Sequence, residues 1–365
     1  MRPGTSRARS SVAALTAVLL IPSLAACGSK GGGGSTAGAP ASCSLGSGGT
    51  ATVSPSVEPT TTALGGPLPT VTADPKLTAM VPAGLSRSGV MTVGTDSTYA
   101  PDEFLAADGH TVQGFDIDLL NGVAAKLGLK TSYQSATFDS IIPAVESCKY
   151  DFSVSSFTIN ADREKAVNMI SYFSSGMQWA RKTGSTAIAS IDEACGKRVA
   201  AQTGTTEADD LAARSKTCTG AKKSAITVDL YQNQSDATAA VVSGKDDAMS
   251  ADSQVTAYAV QQTGGKLATL GPIYASAPYG FVVKKGEETF AAAVSDAVNA
   301  MIADGTYKAI LDHWGVSSGG IAKSEVNPDV TVASSTPSAT PSSSASPSGS
   351  ASPTSSASAS ASAHS

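Results

Sequence analysis

The chain has 365 residues, of which 41% are hydrophobic, and a formal net charge of −5 at pH 7. This length allows about two domains of ordinary size. The mild acidity and the lack of a basic stripe argue against nucleic acid as a partner. No Cys or His cluster has metal-ligand spacing, so we expect neither a metal nor a cofactor.

Residues 1–26 have the pattern of an export signal, with three arginines ahead of an apolar run from Val12 to Leu24. The run is too short for a comfortable membrane span. It ends in Leu-Ala-Ala-Cys, which resembles the bacterial lipoprotein processing box. We therefore expect Cys27 to be lipidated and to anchor the chain outside the cytoplasmic membrane. An ordinary cleaved signal peptide is the alternative.

Low-complexity segments flank the foldable part. Residues 27–85 are interpreted as a flexible tether, because the segment from Cys27 to about Thr72 is rich in Gly, Ser, Thr, Ala and Pro. Residues 317–365 are interpreted as a disordered tail, which from about Val330 consists almost entirely of Ser, Ala, Pro and Thr.

Four cysteines remain after Cys27. Cys195 and Cys218 lie in one region and are expected to pair, since an exported protein meets conditions in which disulfides persist. Cys43 and Cys148 could also pair, but the sequence leaves this open.

Between the flanking segments, short apolar runs alternate with amphipathic ones. This alternation predicts an α/β fold with a parallel sheet and helices on both faces. The predicted elements in chain order are a strand ending at Gly94, a helix over 114–127, a helix over 138–148, a strand over 150–156, a strand over 196–204, a helix over 205–215 and a strand near 248–251.

Polar residues follow four of the predicted strands, where ligands bind in open α/β sheets. They are Asp96, the pair Ser155 and Ser156, the pair Thr205 and Thr206, and Asp252. The stretch 152–163 adds Thr158 and Arg163. Several hydroxyls and one cation at a strand end are typical of an anion site.

The segments "VGTDSTYAPDEF", "GFDIDLLNGVAAKLG", "FDSIIPAVESCKYDFSVSSFTINADR", "VAAQTGTT", "DDAMSADSQVTAYAV" and "DGTYKAILDHWGV" resemble the extracellular solute-binding proteins of family 3, which bind polar amino acids for ABC importers. The resemblance covers about residues 85–316. It implies a two-lobe, periplasmic-binding-protein-like (type II) fold with the ligand in the cleft between hinged lobes. Lobe 1 would comprise 86–181 plus 274–316, and lobe 2 would comprise 182–273.

The resemblance also implies a role for each strand-end residue. Arg163, in "TINADR", would clamp the ligand carboxylate through two parallel hydrogen bonds, with Thr205 and Thr206 at a helix N-terminus beside it. A structural salt bridge from Arg163 to Asp162 or Glu164 is the alternative.

Asp252 would accept from the ligand ammonium, helped by Ser155, Ser156 and Thr158; capping of the following helix is its alternative role. Tyr99 and Phe138 would wall the side-chain end, although Phe138 also fits an ordinary core position.

Asp96 would meet a polar or cationic side chain of the ligand. Asp102 departs from the family, which commonly has an apolar residue there, and so favours a cationic ligand unless it is merely exposed. Residues 170–176 depart from the family's usual hinge sequence.

We therefore expect a non-catalytic, monomeric component of an ABC transporter that captures a free amino acid and delivers it to a permease and its ATPase. A module that senses amino acids is one alternative. A dehydratase or lyase on the same fold is another, but no nucleophile–base pair is visible.

Overall fold

The computed structural model describes residues 45, 46 and 67–330. The strands are β1 (Val90–Thr95), β2 (Thr98–Tyr99), β3 (Glu103–Leu105), β4 (Val112–Gln113), β5 (Lys130–Ser135), β6 (Phe152–Ser153), β7 (Val167–Lys182), β8 (Arg198–Gln202), β9 (Thr227–Tyr231), β10 (Ala248–Asp252) and β11 (Leu267–Lys284). The helices are α1 (Pro75–Thr78), α2 (Ala83–Ser88), α3 (Phe115–Lys126), α4 (Phe138–Glu146), α5 (Ala161–Ala166), α6 (Thr206–Gly220), α7 (Gln234–Ser243), α8 (Ser253–Gln262), α9 (Glu288–Asp304) and α10 (Thr306–Trp314).

Eight strands form one mixed sheet in the order β5-β1-β6-β11-β7-β10-β8-β9. The short strands β2, β3 and β4 form a second sheet. The expected parallel sheet is thus only partly correct, because β11 runs antiparallel to β6 and β7, and β7 runs antiparallel to β10. The reversals arise where the chain crosses the middle of the molecule on two long strands.

The two halves of the sheet carry separate cores. On the β5-β1-β6 side, α3 buries Leu119, Leu120 and Val123 against the core around Phe152 and Phe281. On the β10-β8-β9 side, further clusters surround Trp179 and Met249. We call these halves the first and second lobes. The expected two-lobe type II fold is confirmed.

Strands β7 and β11 run through both lobes and pair with each other along most of their length. We call this pair the hinge ribbon. Its register shifts between Leu270 and Tyr274 and again between Tyr274 and Ala277. Gly271 and Ala275 have φ angles of 77° and 50° there. The ladder is therefore irregular where the ribbon passes from one lobe to the other.

Residues 317–330 do not belong to a disordered tail, contrary to expectation. Val326 bridges Ile170 on β7, and the side chain and backbone of Asn327 bond the backbone of Met169 at 2.8 and 2.7 Å. Ser324 is buried beside Ser295. We call residues 317–330 the strap. It folds because the β7 edge supplies backbone partners that composition alone does not reveal.

The tether also ends earlier than expected. Leu77, Val81 and Leu85 are buried in the first-lobe core, and Asp74 caps α1 through its side chain. Leu45 joins the same core. A few apolar residues therefore fix part of a segment that composition suggested was unstructured.

The predicted disulfide between Cys195 and Cys218 is confirmed, with Cα atoms 5.6 Å apart. Cys148 is disulfide-bonded as well. Cys43, considered as its partner, lies outside the described residues, as do Cys27 and the chain beyond residue 330. In the described ranges, no helix is both long and apolar enough to cross a membrane.

Candidate functional site

A small cavity lies between the two lobes. Its first-lobe lining is Tyr99, Phe138, Ser156, Thr158 and Arg163, and its second-lobe lining is Thr205, Thr206, Glu207 and Asp252. We call it the interlobe pocket. Its volume is about 10 Å³, room for about one water. An amino acid can therefore enter only after the lobes or these side chains move apart.

Arg163 joins the lobes. Its helix, α5, starts at the Asn160 cap, and the guanidinium donates from Nη1 to the Thr158 carbonyl at 2.7 Å and from Nη2 to the Gly204 carbonyl at 3.1 Å. The guanidinium also lies 5.4 Å from the Phe138 ring centroid. These contacts fix the plane of the fork, and its other N–H groups remain as possible donors to an anion.

The alternative salt bridge from Arg163 to a neighbouring acid does not form. Asp162 pairs with Lys165 at 2.7 Å, and no ion pair within the described part of the chain includes Arg163. Burial lowers the pKa of Arg163, but the nearby Glu207 and Asp252 favour its charged form.

Asp252 ends β10 and stands at the N-cap position of α8, but its side chain does not cap the helix. Instead, its Oδ2 accepts from the Tyr99 hydroxyl at 2.9 Å. Burial raises the pKa of Asp252 to about 6. The capping alternative is therefore wrong for the side chain, which is directed toward the opposite lobe.

Glu207 lines the interlobe pocket but was missed in the sequence. It lies in the first turn of α6 and is 2% exposed, with Thr206 Oγ1 3.3 Å from its Oε2. Burial and the nearby Asp252 raise the pKa of Glu207 to about 8. Its only sequence signal is its place directly after the two threonines.

The two threonines have different roles. Thr205 caps α6, accepting from the Ala208 amide at 3.3 Å and donating to the Gln202 carbonyl at 2.8 Å. Thr206 lies 3.3 Å from Thr158 across the pocket, hydroxyl to hydroxyl. Thr206 and Thr158 thus leave more hydrogen-bonding capacity for a ligand than Thr205 does.

Asp96 and Ser155 do not line the pocket, contrary to expectation. Asp96 is 2% exposed and accepts from the Thr98 hydroxyl, the Phe138 amide and, across the lobes, Gln202 Nε2 at 2.6 Å. Burial raises its pKa. Ser155 lies between the Asp96 amide and Glu103. Both residues are occupied in holding the pocket walls.

A group of three buried acids lies behind Ser156. The Ser156 hydroxyl is 2.8 Å from Asp102 and 3.2 Å from both Glu103 and Asp116. We call these three acids the carboxyl cluster. Asp102 is fully buried, so it is neither exposed nor in the pocket.

Burial favours the protonated forms of the acids in the carboxyl cluster. Burial and the other acids raise the pKa values of Asp102 and Glu103 well above their usual range, and burial raises that of Asp116 to about 6. Ser156 has φ 49°, and its amide donates to Asp116 at 3.0 Å. The cluster therefore stabilises an uncommon backbone conformation at the pocket wall.

Comparisons with known proteins find similar amino acid-binding proteins. The arginine-binding protein ArgT of Corynebacterium glutamicum is 34% identical over 254 residues, or 69% of this chain and 83% of that protein. An ancestral arginine-binding protein bound to arginine has 32% identity and a TM-score of 0.58, over 62% of this chain and 98% of that one.

A second solved structure is similar to the same degree. It is the ancestral amino acid-binding protein AncCDT-1, a precursor of cyclohexadienyl dehydratase, with 30% identity and a TM-score of 0.57 over 63% of this chain and 97% of that one. The family model of the bacterial extracellular solute-binding proteins, family 3, matches residues 91–317. The chain therefore belongs to this family of extracellular solute-binding proteins.

Proposed function

We propose that this protein binds a free L-amino acid, preferably one with a cationic side chain, in the interlobe pocket. The observation that carries the proposal is the opposition of Arg163 on one lobe to Asp252 and Glu207 on the other. A cation and two acids on facing walls match the two charges of an amino acid and leave one negative group over.

Arg163 is the proposed carboxylate clamp. Its fork is oriented by two carbonyls and two aromatic rings, so little side-chain freedom remains to be lost on binding. Thr206 supplies a hydroxyl beside it at the start of α6, where the helix dipole also favours an anion.

Asp252 and Glu207 are the proposed acceptors for the α-ammonium and for a positive side chain. Among the described lining residues, Arg163 is the one basic side chain, so acidic groups outnumber basic ones there. The names of two similar proteins, both arginine-binding, support the same ligand class.

Binding is coupled to movement of the lobes. The ligand contacts both walls only when the lobes are together, so it stabilises that arrangement over any in which they are apart. The ligand-bound form is then delivered to an ABC permease driven by its ATPase. Lipidated Cys27 holds the chain on the outer face of the cytoplasmic membrane.

Calorimetry tests this proposal directly. The mature chain is unfolded and refolded to remove carried-over ligand, then titrated with the twenty amino acids, ornithine and citrulline. We expect tight binding of arginine, lysine or ornithine. Citrulline is the matched control, because it has arginine's length and a neutral end. Equal affinity for arginine and citrulline would refute the cationic preference, and no binding of any compound would refute amino acid binding.

A proton-transfer enzyme is a second candidate, favoured by two observations. Glu207 is buried in the pocket with a pKa near 8, a value suited to a general acid or base, and one similar structure is a precursor of a dehydratase. Incubation with hydroxylated cyclic carboxylic acids should give no dehydration product if the protein only binds. Turnover that Glu207→Gln abolishes would support the enzyme instead.

Sensing of the amino acid for a receptor remains a third role for the same pocket. Uptake of radiolabelled ligand should disappear when the gene is deleted if the protein serves transport. Unchanged uptake would favour sensing.

A further inference from the structure

A second cavity, much larger than the interlobe pocket, lies beside the hinge ribbon. It is a groove of about 670 Å³, within the usual range for small-molecule sites. Its floor includes Ser175, Gly176 and Ile273 of the hinge ribbon. Its sides come from β3 and the end of α10 in the first lobe and from α8 in the second. We call it the hinge groove.

The hinge groove has aromatic walls. Phe104 of the first lobe lies with its ring centroid 6.0 Å from that of Tyr258 on α8 and 6.1 Å from that of Trp314. Trp314 is fixed by donating from Nε1 to Asp118 at 2.8 Å. A planar apolar group would find ring surfaces from both lobes here.

Apolar residues such as Phe173, Ile273 and Val316 also line the groove, and its polar side chains are uncharged. Amide side chains come from Gln178, Gln254, Gln261 and Gln262, and hydroxyls come from several serines. No acidic or basic side chain and no histidine is present among the lining residues. Such a surface offers hydrogen bonds without compensating a charge, so it matches a neutral ligand and disfavours an ionic one.

Hydrogen bonds connect the hinge groove to the interlobe pocket. Gln254, in the groove wall, donates from Nε2 to Asp102 Oδ2 at 2.7 Å. Asp102 Oδ2 also accepts from Ser156, which lines the pocket, at 2.8 Å. Ser175 of the hinge ribbon donates to Gln254 Oε1 at 2.6 Å. One polar chain therefore runs from the groove to the pocket across the lobe boundary.

We propose that the hinge groove is a second binding site, for a neutral amphipathic molecule with an aromatic ring and amide-like hydrogen-bonding groups. The groove has its observed shape while the lobes are together, so a molecule that fits it stabilises that arrangement. Its occupancy and that of the interlobe pocket then increase each other, because coupling between two sites is reciprocal. The site itself is independent of the proposed function, whereas the coupling rests on it.

N-acetyl-L-tryptophanamide is a suitable probe. It has an indole ring and two amides but neither of the charges that the interlobe pocket would recognise. Titration into the mature chain, followed by NMR, should give a dissociation constant of about 0.1 mM, which a ligand of this size reaches at ordinary efficiency. No binding up to about 5 mM would overturn the site.

Ala257→Trp tests the location. Ala257 is exposed on α8 and lines the groove, so a large ring there occupies the space without disturbing the core. Ala212→Trp, on an exposed face of α6 outside the groove, is the matched control. We expect the first variant to lose probe binding and the second to keep it. Unchanged binding by Ala257→Trp would overturn the assignment.

The coupling is tested by titrating arginine with and without saturating probe. We expect about a fivefold gain in arginine affinity with the probe present. An unchanged or weaker arginine affinity would overturn the coupling. If arginine does not bind at all while the probe binds in the Ala257-dependent manner, the groove assignment stands and the proposed function fails.

Discussion

The interlobe pocket and the hinge groove lie in the same boundary between lobes but differ in size and charge. The pocket has about 10 Å³ of space, one guanidinium and two acids, whereas the groove has about 670 Å³ and no charged lining residue. Side chains at the pocket already bond across the boundary: Tyr99 with Asp252, Thr158 with Thr206, and Arg163 with the Gly204 carbonyl.

Under the proposed function, cavity volume is a poor guide to where an ionic ligand binds. Charged groups left facing one another draw walls together, because each finds partners on the other side. A search by volume alone would find the groove and miss the pocket.

The largest expected effect is the loss of arginine affinity when the charged group of the interlobe pocket, Arg163, is removed. Arg163→Ala should weaken arginine binding at least about a hundredfold, because it removes two charge-assisted hydrogen bonds from the carboxylate. Arg163→Lys should recover little, since an ammonium cannot form the parallel pair. Calorimetry on the refolded chain measures both.

The exposed Arg87 provides a control for this substitution. Arg87→Ala should bind arginine as the unmodified protein does, and all three variants should keep the affinity for N-acetyl-L-tryptophanamide. Near-normal arginine affinity in Arg163→Ala would mean that the carboxylate clamp is misassigned.

The acids of the pocket should make binding of a cation dependent on pH. With pKa values near 6 and 8, Asp252 and Glu207 are both largely protonated at pH 5.5 and must lose protons when a cation binds. Arginine affinity should therefore fall about tenfold or more from pH 8.5 to 5.5. Glu207→Gln should lower the affinity about tenfold at pH 8.5 and flatten the pH profile.

Probe binding to the hinge groove is the internal reference for this profile, because the described lining residues of the groove include no carboxyl, amino, guanidinium or imidazole group. Arginine affinity that is constant across the range would contradict the assigned role of Glu207.

Glu207 should also affect the stability of the protein without ligand. Its folded-state pKa, about 8, lies above the usual 4.5, so its stabilising contribution is complete below about pH 4.5 and is lost as pH rises to about 8. Glu207→Gln removes that loss and should raise the thermal midpoint at pH 8 by about 3 °C. At pH 4.5 the two proteins should have the same thermal midpoint. Scanning calorimetry at both values checks this.

The smallest expected effect concerns the strap, whose residues do not line the interlobe pocket. Asn327→Ala removes a side-chain hydrogen bond to the Met169 amide and should lower the free energy of unfolding by about 1 kcal/mol. Lys323→Ala, which breaks only an exposed ion pair with Glu325, should change it by less than about 0.5 kcal/mol. Urea denaturation measures both, and arginine affinity should stay the same. A change in affinity would mean that the strap acts on the pocket.

Local sequence patterns predicted the elements better than the boundaries. Helix α3 and strand β1 appear close to where apolar spacing placed them. The folded strap was not predicted, because its order depends on backbone partners in β7 that are more than 150 residues away in sequence. Composition describes a segment by itself and carries no information on such partners.

The candidate site was likewise predicted only in part. Arg163, Asp252 and Thr206 line the pocket as the family resemblance implied. Glu207 was missed because its burial arises only in the folded pocket, and Asp96 was misplaced because Gln202 of the other lobe occupies it. The sequence alone allows Asp102 to be a surface acid, whereas the structure shows it buried in contact with Ser156 and Gln254. Residue type gives the chemistry available, whereas contacts between lobes decide which groups are used.

The irregular hinge ribbon has a mechanical consequence. Both crossings between the lobes are strands of one paired ribbon, so they must bend together. The register shifts between Leu270 and Ala277 confine the expected bending to a few residues. We therefore expect the two lobes to move as rigid bodies about one hinge axis. Backbone amides of residues 271–276 should then exchange with deuterium sooner than those of the regular ladder at 280–284, whichever of the two cavities is filled.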